Sequence, residues 1–163
     1  MKKMLLHSCC GPCSTQVIDV LRKDYDITVF YYNPNIQPED EYNHRLAEQK
    51  RFCSEVGIAV IDLPYDTNEF MCQIKGYENE REGGERCRIC FDLRLNKTAL
   101  LAKEKGFDIF ATTLSVSPHK NTIVINEVGQ KASQKHEIEF LAGNFKKQDG
   151  YKKSIEFAKQ YNL

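Results

Sequence analysis

The stretch HSCCGPCS, residues 7–14, sets Cys9, Cys10 and Cys13 within five positions of one another. A second cluster, Cys87-Arg88-Ile89-Cys90, repeats the C-x-x-C spacing far along the chain. Thiolate is the form of cysteine that ligates metals and attacks disulfides. A place at the start of a helix favours it, through unpaired N–H groups and the positive end of the dipole. Three chemistries suit such a set. A C-x-x-C thiol oxidoreductase would use Cys10 and Cys13 and leave the other thiols idle. A zinc site would draw tetrahedral thiolates from both clusters, although a domain of this size does not need a metal to fold. An iron–sulfur site suits soft thiolates and gives the surplus thiol a place. Cys9 and Cys10, being adjacent, point in different directions and can serve two corners of one cluster or two metals.

Other chemistry-bearing residues have ordinary alternatives beside the functional ones. Cys53 lies seven residues after Leu46 on one helical face and Cys72 adjoins Met71. Both read as packing residues, because buried cysteine behaves as a small hydrophobe. The stretch SVSPHK, residues 115–120, is either an anion cradle at a helix start or a capping loop. His7 is either a satisfied strand histidine or a group supporting the neighbouring thiols. His44 and His136 have charged neighbours and read as solvated. Lys146, Lys147, Lys152 and Lys153, with Tyr151 among them, form the densest basic patch, which is either a solvated face or a phosphate contact.

The elements that must position these groups follow from patterning. The chain has 163 residues, 41% hydrophobic and 28% charged, with 23 basic and 23 acidic side chains. That is the composition of one soluble domain, with no global field to draw it onto nucleic acid or membrane. The first apolar run, Met4 to Leu6, is too short for a secretory signal, and none is long enough to span a bilayer. A cytoplasmic protein with no membrane partner is expected, in a reducing compartment where cysteines serve as ligands or catalytic thiols.

Short apolar runs at 4–7, 27–32, 59–63, 108–114 and 138–142 predict strands. Helical spacing covers 15–23, 42–56 and 91–105, with a further helix from about residue 121. Val17, Val20 and Leu21 form one apolar stripe, and Phe91, Leu95, Ala99 and Ala102 another. The alternation predicts an α/β fold, a single domain over 1–163, with about five parallel strands and helices on both faces. Such sheets gather ligands at the carboxyl ends of their strands, near the switch in strand order. The loops at 9–14, 33–38 and 115–120 belong to that edge, and the polar insertion at 76–86 leads into Cys87.

The segments LHSCCGPCS, NPNIQPEDEYNHR, CRICFDLRLNKTA, FATTLSVSPHKN and GYKKS stand in this order along the chain. In that combination the sequence resembles the epoxyqueuosine reductase QueH family over nearly its whole length. The resemblance implies an oxidoreductase of tRNA modification, reducing the epoxide of epoxyqueuosine at the wobble position to queuosine. It implies an adenine-nucleotide α-hydrolase-like, Rossmann-like fold and a 4Fe–4S cluster, without cobalamin. By position it makes Cys9, Cys10, Cys87 and Cys90 the cluster ligands, with Cys13 a further metal candidate beside an additional mononuclear iron. The partners it implies are tRNA carrying epoxyqueuosine and an external electron donor. His119 and Lys120 are candidate proton donors by position. Two alternatives of other classes stand beside this: a zinc-stabilised nucleotide- or RNA-binding module without catalysis, and a C-x-x-C thiol oxidoreductase.

The chain departs from the family's pattern twice. Asn144-Phe145-Lys146-Lys147 stands where family members tend to read D-F-R-K, and lysine cannot reproduce the bidentate guanidinium fork. Many relatives continue into a tail with a Cys-Gly-Cys pair suited to a redox-active disulfide. The 163 residues contain no such pair, and a tail beyond Leu163 is expected.

Overall fold

Among the described residues, five strands run parallel in a single sheet. In a computed structural model, which describes residues 1–9, 11–36, 38–65, 68, 85–114 and 122–142, the elements are β1 (Lys2–Ser8), α1 (Gly11–Leu21), β2 (Tyr25–Tyr31), α2 (Glu39–Val56), β3 (Ala59–Asp62), α3 (Glu85–Glu104), β4 (Ile109–Thr112), α4 (Thr122–His136) and β5 (Glu139–Phe140). The side chains of Cys13, Glu85, Arg86 and Cys87 lie outside that description. No helix of the described residues is long and apolar enough to cross a membrane.

β1 is central, flanked by β2 and β4, and Met4 to Ser8 are all buried. A strand covered on both faces reads as an apolar run rather than an alternation. The pleat divides its side chains between the two helical layers. Met4 and Leu6 pack with Val17, Ile18 and Leu21 of α1 and with Phe52 and Cys53 of α2. Leu5 packs with Phe30, Phe110 and Phe140 of the sheet and with Ala99 and Ala102 of α3. Each side chain of this size contributes about 1.5–3 kcal/mol when fully buried, so β1 is the anchor of both layers. His7 shares the α3 face and Ser8 the α2 face, which decides the partners of each.

Three helices end alike. At the end of α2, Gly57 takes φ 75°, and the Gly57 and Ile58 N–H groups bond the carbonyls of Ser54 and Cys53. Gly106 (φ 78°) and Phe107 repeat this after α3. After α4 the left-handed residue is Glu137, φ 54°, followed by Ile138, whose N–H bonds Ser133 O. Each is a left-handed cap followed by an apolar residue that enters the next strand.

Several boundaries differ from the sequence expectation. α1 starts at Gly11 rather than 15, and α3 at Glu85 rather than 91. Proline is tolerated in a first turn, where its missing N–H has no helical partner. Ser14 and Thr15 donate to the carbonyls of Gly11 and Pro12, at 2.8 and 2.9 Å. These hydroxyls read as loop signals, yet they bond back within the turn. β4 and β5 are shorter than expected, with four and two residues. The ladder stops where the Thr112 hydroxyl takes the Leu114 N–H, at 3.2 Å.

Candidate metal centre

β2 and β3 lie to one side of β1, and β4 and β5 to the other. The order therefore reverses between β1 and β4, and the carboxyl ends of these two strands open the crevice where such folds take ligands. β1 ends at Ser8 and β4 at Thr112, so Cys9 and Thr113 are the first residues past the edge. They meet there. The Cys9 N–H donates to Thr113 Oγ1 at 3.4 Å, and Cys9 Sγ lies 3.8 Å from the same hydroxyl. The Thr113 N–H donates in turn to His7 O at 3.0 Å.

Cys9 is half-buried and packs against the cluster of Phe91 and Leu95 of α3 with Leu114, Ile125 and Val128. α3 is the helix that carries the second cysteine pair. Cys87 and Cys90 fall inside its first turns rather than ahead of it, and their i, i+3 spacing sets them on one helical face. Cys90 is buried in the layer of Leu5, Phe30 and Tyr32. Cys13 lies in the first turn of α1. Cys10 lies outside the described residues, as do the side chains of Cys13 and Cys87. Among the described residues no three or more His, Cys, Asp or Glu side chains gather as a metal-binding group.

A buried polar frame, of which the sequence pointed only to His7, holds this edge. His7 has no solvent exposure. Its Nε2 lies 2.9 Å from Tyr32 O, which can only accept, so the ring proton belongs on Nε2. Nδ1, 3.0 Å from Thr112 Oγ1, then accepts the hydroxyl proton. Burial, reinforced by the nearby Arg94 charge, pushes His7 down to about 4, so the ring is neutral at physiological pH. It is a satisfied strand histidine.

Asn33 joins three elements. Its Nδ2 donates to Ser8 O at 2.9 Å, and its Oδ1 accepts from Arg94 Nη1 at 3.3 Å. Arg94 Nε–H also reaches Cys90 O at 3.3 Å, and the guanidinium carbon lies 5.8 Å from the Phe91 ring centroid. On the opposite face, Gln49 of α2 accepts from the Ser8 hydroxyl and donates to Ser14 Oγ at 3.1 Å and Cys53 Sγ at 3.2 Å. Ser8 and Ser14 flank the cysteine stretch, so one buried amide fixes both of its ends. Asn35 Oδ1 and Thr122 Oγ1 are buried without a hydrogen-bond partner among the described residues. Asn35 lies in the segment that follows β2, and Thr122 is the first residue of α4.

Cys53 is fully buried, and burial pushes its thiol up to about 11, as befits a packing residue. His44 is exposed, 3.6 Å from Glu48. His136 is half-buried instead of solvated, because the end of α4 packs on α3. Its Nε2 lies 3.2 Å from Asn96 Oδ1, and burial lowers its pKa. Cys72, His119, Lys120 and the basic patch of Lys146, Lys147, Tyr151, Lys152 and Lys153 lie outside the described residues.

Residues 4–163 match the family model described as epoxyqueuosine reductase QueH. The chain belongs to the QueH family. The epoxyqueuosine reductase QueH of Streptococcus pyogenes serotype M1 is 43% identical over 98% of this chain and 65% of its own length. Its counterpart in Staphylococcus aureus is 38% identical over 99% of this chain and 70% of its own length. That of Acinetobacter baylyi is 41% identical over 97% and 73%. The chain thus spans about two thirds of these QueH relatives. The fold is also similar to the crystal structure of a predicted subunit of tRNA methyltransferase from Methanocaldococcus jannaschii. The TM-score is 0.59 with 12% identity, covering 86% of this chain and 68% of that one. At that identity the likeness is one of fold alone.

Proposed function

We propose that this chain is an epoxyqueuosine reductase, removing the epoxide oxygen of epoxyqueuosine in tRNA to give queuosine in the cytoplasm. One observation carries the site assignment: Cys9, at the switch point of a QueH-family chain, packs against the helix that bears Cys87 and Cys90. Opening the epoxide to the alkene consumes two electrons and two protons, and the oxygen leaves as water. A 4Fe–4S cluster, when bound, supplies electrons at low potential.

The donor set fits that group. Cys9, Cys10, Cys87 and Cys90 would hold it as thiolates, three of them by residues at or near a helix N-terminus. Cys13 would serve an additional mononuclear iron. Thr113 stands ready to donate to Cys9 Sγ, as the groups around a metal-bound sulfur commonly do. The unpartnered Asn35 Oδ1 and Thr122 Oγ1 offer acceptors to a polar substrate at this edge. Protonation of the departing oxygen requires a general acid, which we assign to His119 or Lys120. The lysines of residues 146–153 would meet tRNA phosphate, and the electrons come from an external donor.

The test is turnover. Anaerobically reconstituted protein is incubated with a chemical reductant and tRNA carrying epoxyqueuosine, and the nucleosides are resolved by mass spectrometry. Queuosine, lighter by one oxygen atom, is the expected product. An unchanged epoxide, under conditions where the Streptococcus pyogenes relative converts it, would overturn the assignment.

A further inference from the structure

Arg94 is 3% exposed, yet among the described residues none of its partners is an anion. Its contacts are two neutral oxygens, Asn33 Oδ1 and Cys90 O, and the face of Phe91. The ion pairs of the described residues engage Lys2, His44, Arg45, Lys50, Arg88 and Lys131, and none engages Arg94. Arg88 on the same helix makes the contrast plain, since it is partly exposed and reaches Glu127 at 2.6 Å. Arginine cannot shed its proton inside a protein. A buried charge left without a counter-ion is strongly destabilising. The side chain therefore needs negative charge from a source other than a carboxylate of the described residues.

The place of Arg94 indicates that source. It follows Cys90 by one helical turn and bonds its carbonyl, and through Asn33 it is tied to Ser8, the residue before Cys9. Both cysteine clusters thus adjoin its hydrogen-bond network. A tRNA phosphate would need an open approach to a side chain this buried, whereas thiolates on the neighbouring turn need none.

We propose that Arg94 is the built-in counter-cation of the thiolate centre, offsetting negative charge on the bound cluster and so making it easier to reduce. This rests on the iron–sulfur assignment above. Arg94 acts through the cluster and is not assigned a contact with substrate. Two consequences distinguish it from a structural arginine. Neutralising it should hinder reduction of the loaded protein, because the added electron loses its compensating charge. In the metal-free protein with thiols protonated, the same change should be neutral or stabilising, because an uncompensated buried charge is removed.

The experiment compares wild type, Arg94→Gln and Arg94→Lys by anaerobic potentiometric titration and by denaturant unfolding of the metal-free proteins. In Arg94→Gln the cluster's reduction equilibrium should weaken at least tenfold, a negative shift of about 59 mV for a one-electron couple. Arg94→Lys keeps the charge and should shift much less. Metal-free Arg94→Gln should unfold at or above the wild-type denaturant midpoint. Should Arg94→Gln retain no iron, retention by Arg94→Lys would support the proposal and loss in both would overturn it. Equal potentials in wild type and Arg94→Gln at equal iron content would also overturn it, leaving the iron–sulfur assignment standing. Wild-type protein that takes up no iron would overturn both.

Discussion

Replacing Gln49 should loosen the cysteine stretch from a helix that carries none of its proposed ligands. Gln49 is fully buried, and its amide serves Ser8, Ser14 and Cys53 at once. In Gln49→Ala the Ser8 hydroxyl loses its Gln49 acceptor, while Ser14 keeps its bond to Gly11 O. A buried polar group deprived of a partner costs about 1–3 kcal/mol, and the void left by the truncated side chain adds to that. Together about 3 kcal/mol of stability is lost, a fall in Tm of about 6–12 °C for a chain of this size. Gln49→Leu restores much of the volume but none of the hydrogen bonds, and should cost about 1–2 kcal/mol. Denaturant unfolding of the metal-free proteins measures both losses. Iron per chain after anaerobic reconstitution and gel filtration measures the positional effect, which should appear in both variants. If both stay within about 0.5 kcal/mol of wild type with full iron content, the clamp has no such role.

Three further outcomes are expected. Glu137 carries the left-handed cap of α4 at φ 54° without being glycine, so Glu137→Gly should raise stability by about 0.5–1 kcal/mol, read as a Tm rise. The Cys53 thiol is held neutral to about pH 11, against 9.0 for an ordinary thiol. The unfolded chain therefore ionises first, and stability present below pH 9 is lost as pH rises toward 11, by about 2–3 kcal/mol. Cys53→Ala should remove that contribution and leave the alkaline loss due to Tyr42, whose hydroxyl is pushed up to about 12 by burial. Reversing the charge of two lysines within 146–153 should weaken tRNA binding and flatten its salt dependence while the cluster spectrum stays intact. Unchanged affinity would make that patch a solvated face.

The sheet and its helices were legible because their signals are local and periodic. Phe91, Leu95, Ala99 and Ala102 recur at helical spacing, and all four are buried on α3. The apolar runs through Leu5 and Val29 likewise mark the strands they form. Helix starts were less legible, since Gly11, Pro12 and Ser14 have the same composition in a loop and in a first turn. Of the frame around the cysteines only His7 was legible, as a satisfied strand histidine. Asn33 meets Arg94 across 61 residues, and Ser8 meets Gln49 across 41. Nothing in the identity of an asparagine or glutamine says whether it faces water or a buried partner. His136 looked solvated for the same reason, its contact being with Asn96 on another helix. Arg94 carried one usable signal, its place one helical turn beyond Cys90. The cysteines themselves were visible from spacing, and Cys9 packs against residues of the helix that carries Cys90.

The central claim is that Cys9, Cys10, Cys87 and Cys90 hold an iron–sulfur cluster. Iron, zinc and acid-labile sulfide analysis of the anaerobically purified protein, with Mössbauer spectroscopy, tests it most directly. About four sulfides and five irons per chain are expected, four of the irons with the spectrum of a 4Fe–4S centre that is lost on replacing any one of the four cysteines by serine and kept in Cys53→Ser. Stoichiometric zinc without sulfide, or a cluster that survives each of the four substitutions, would contradict the account.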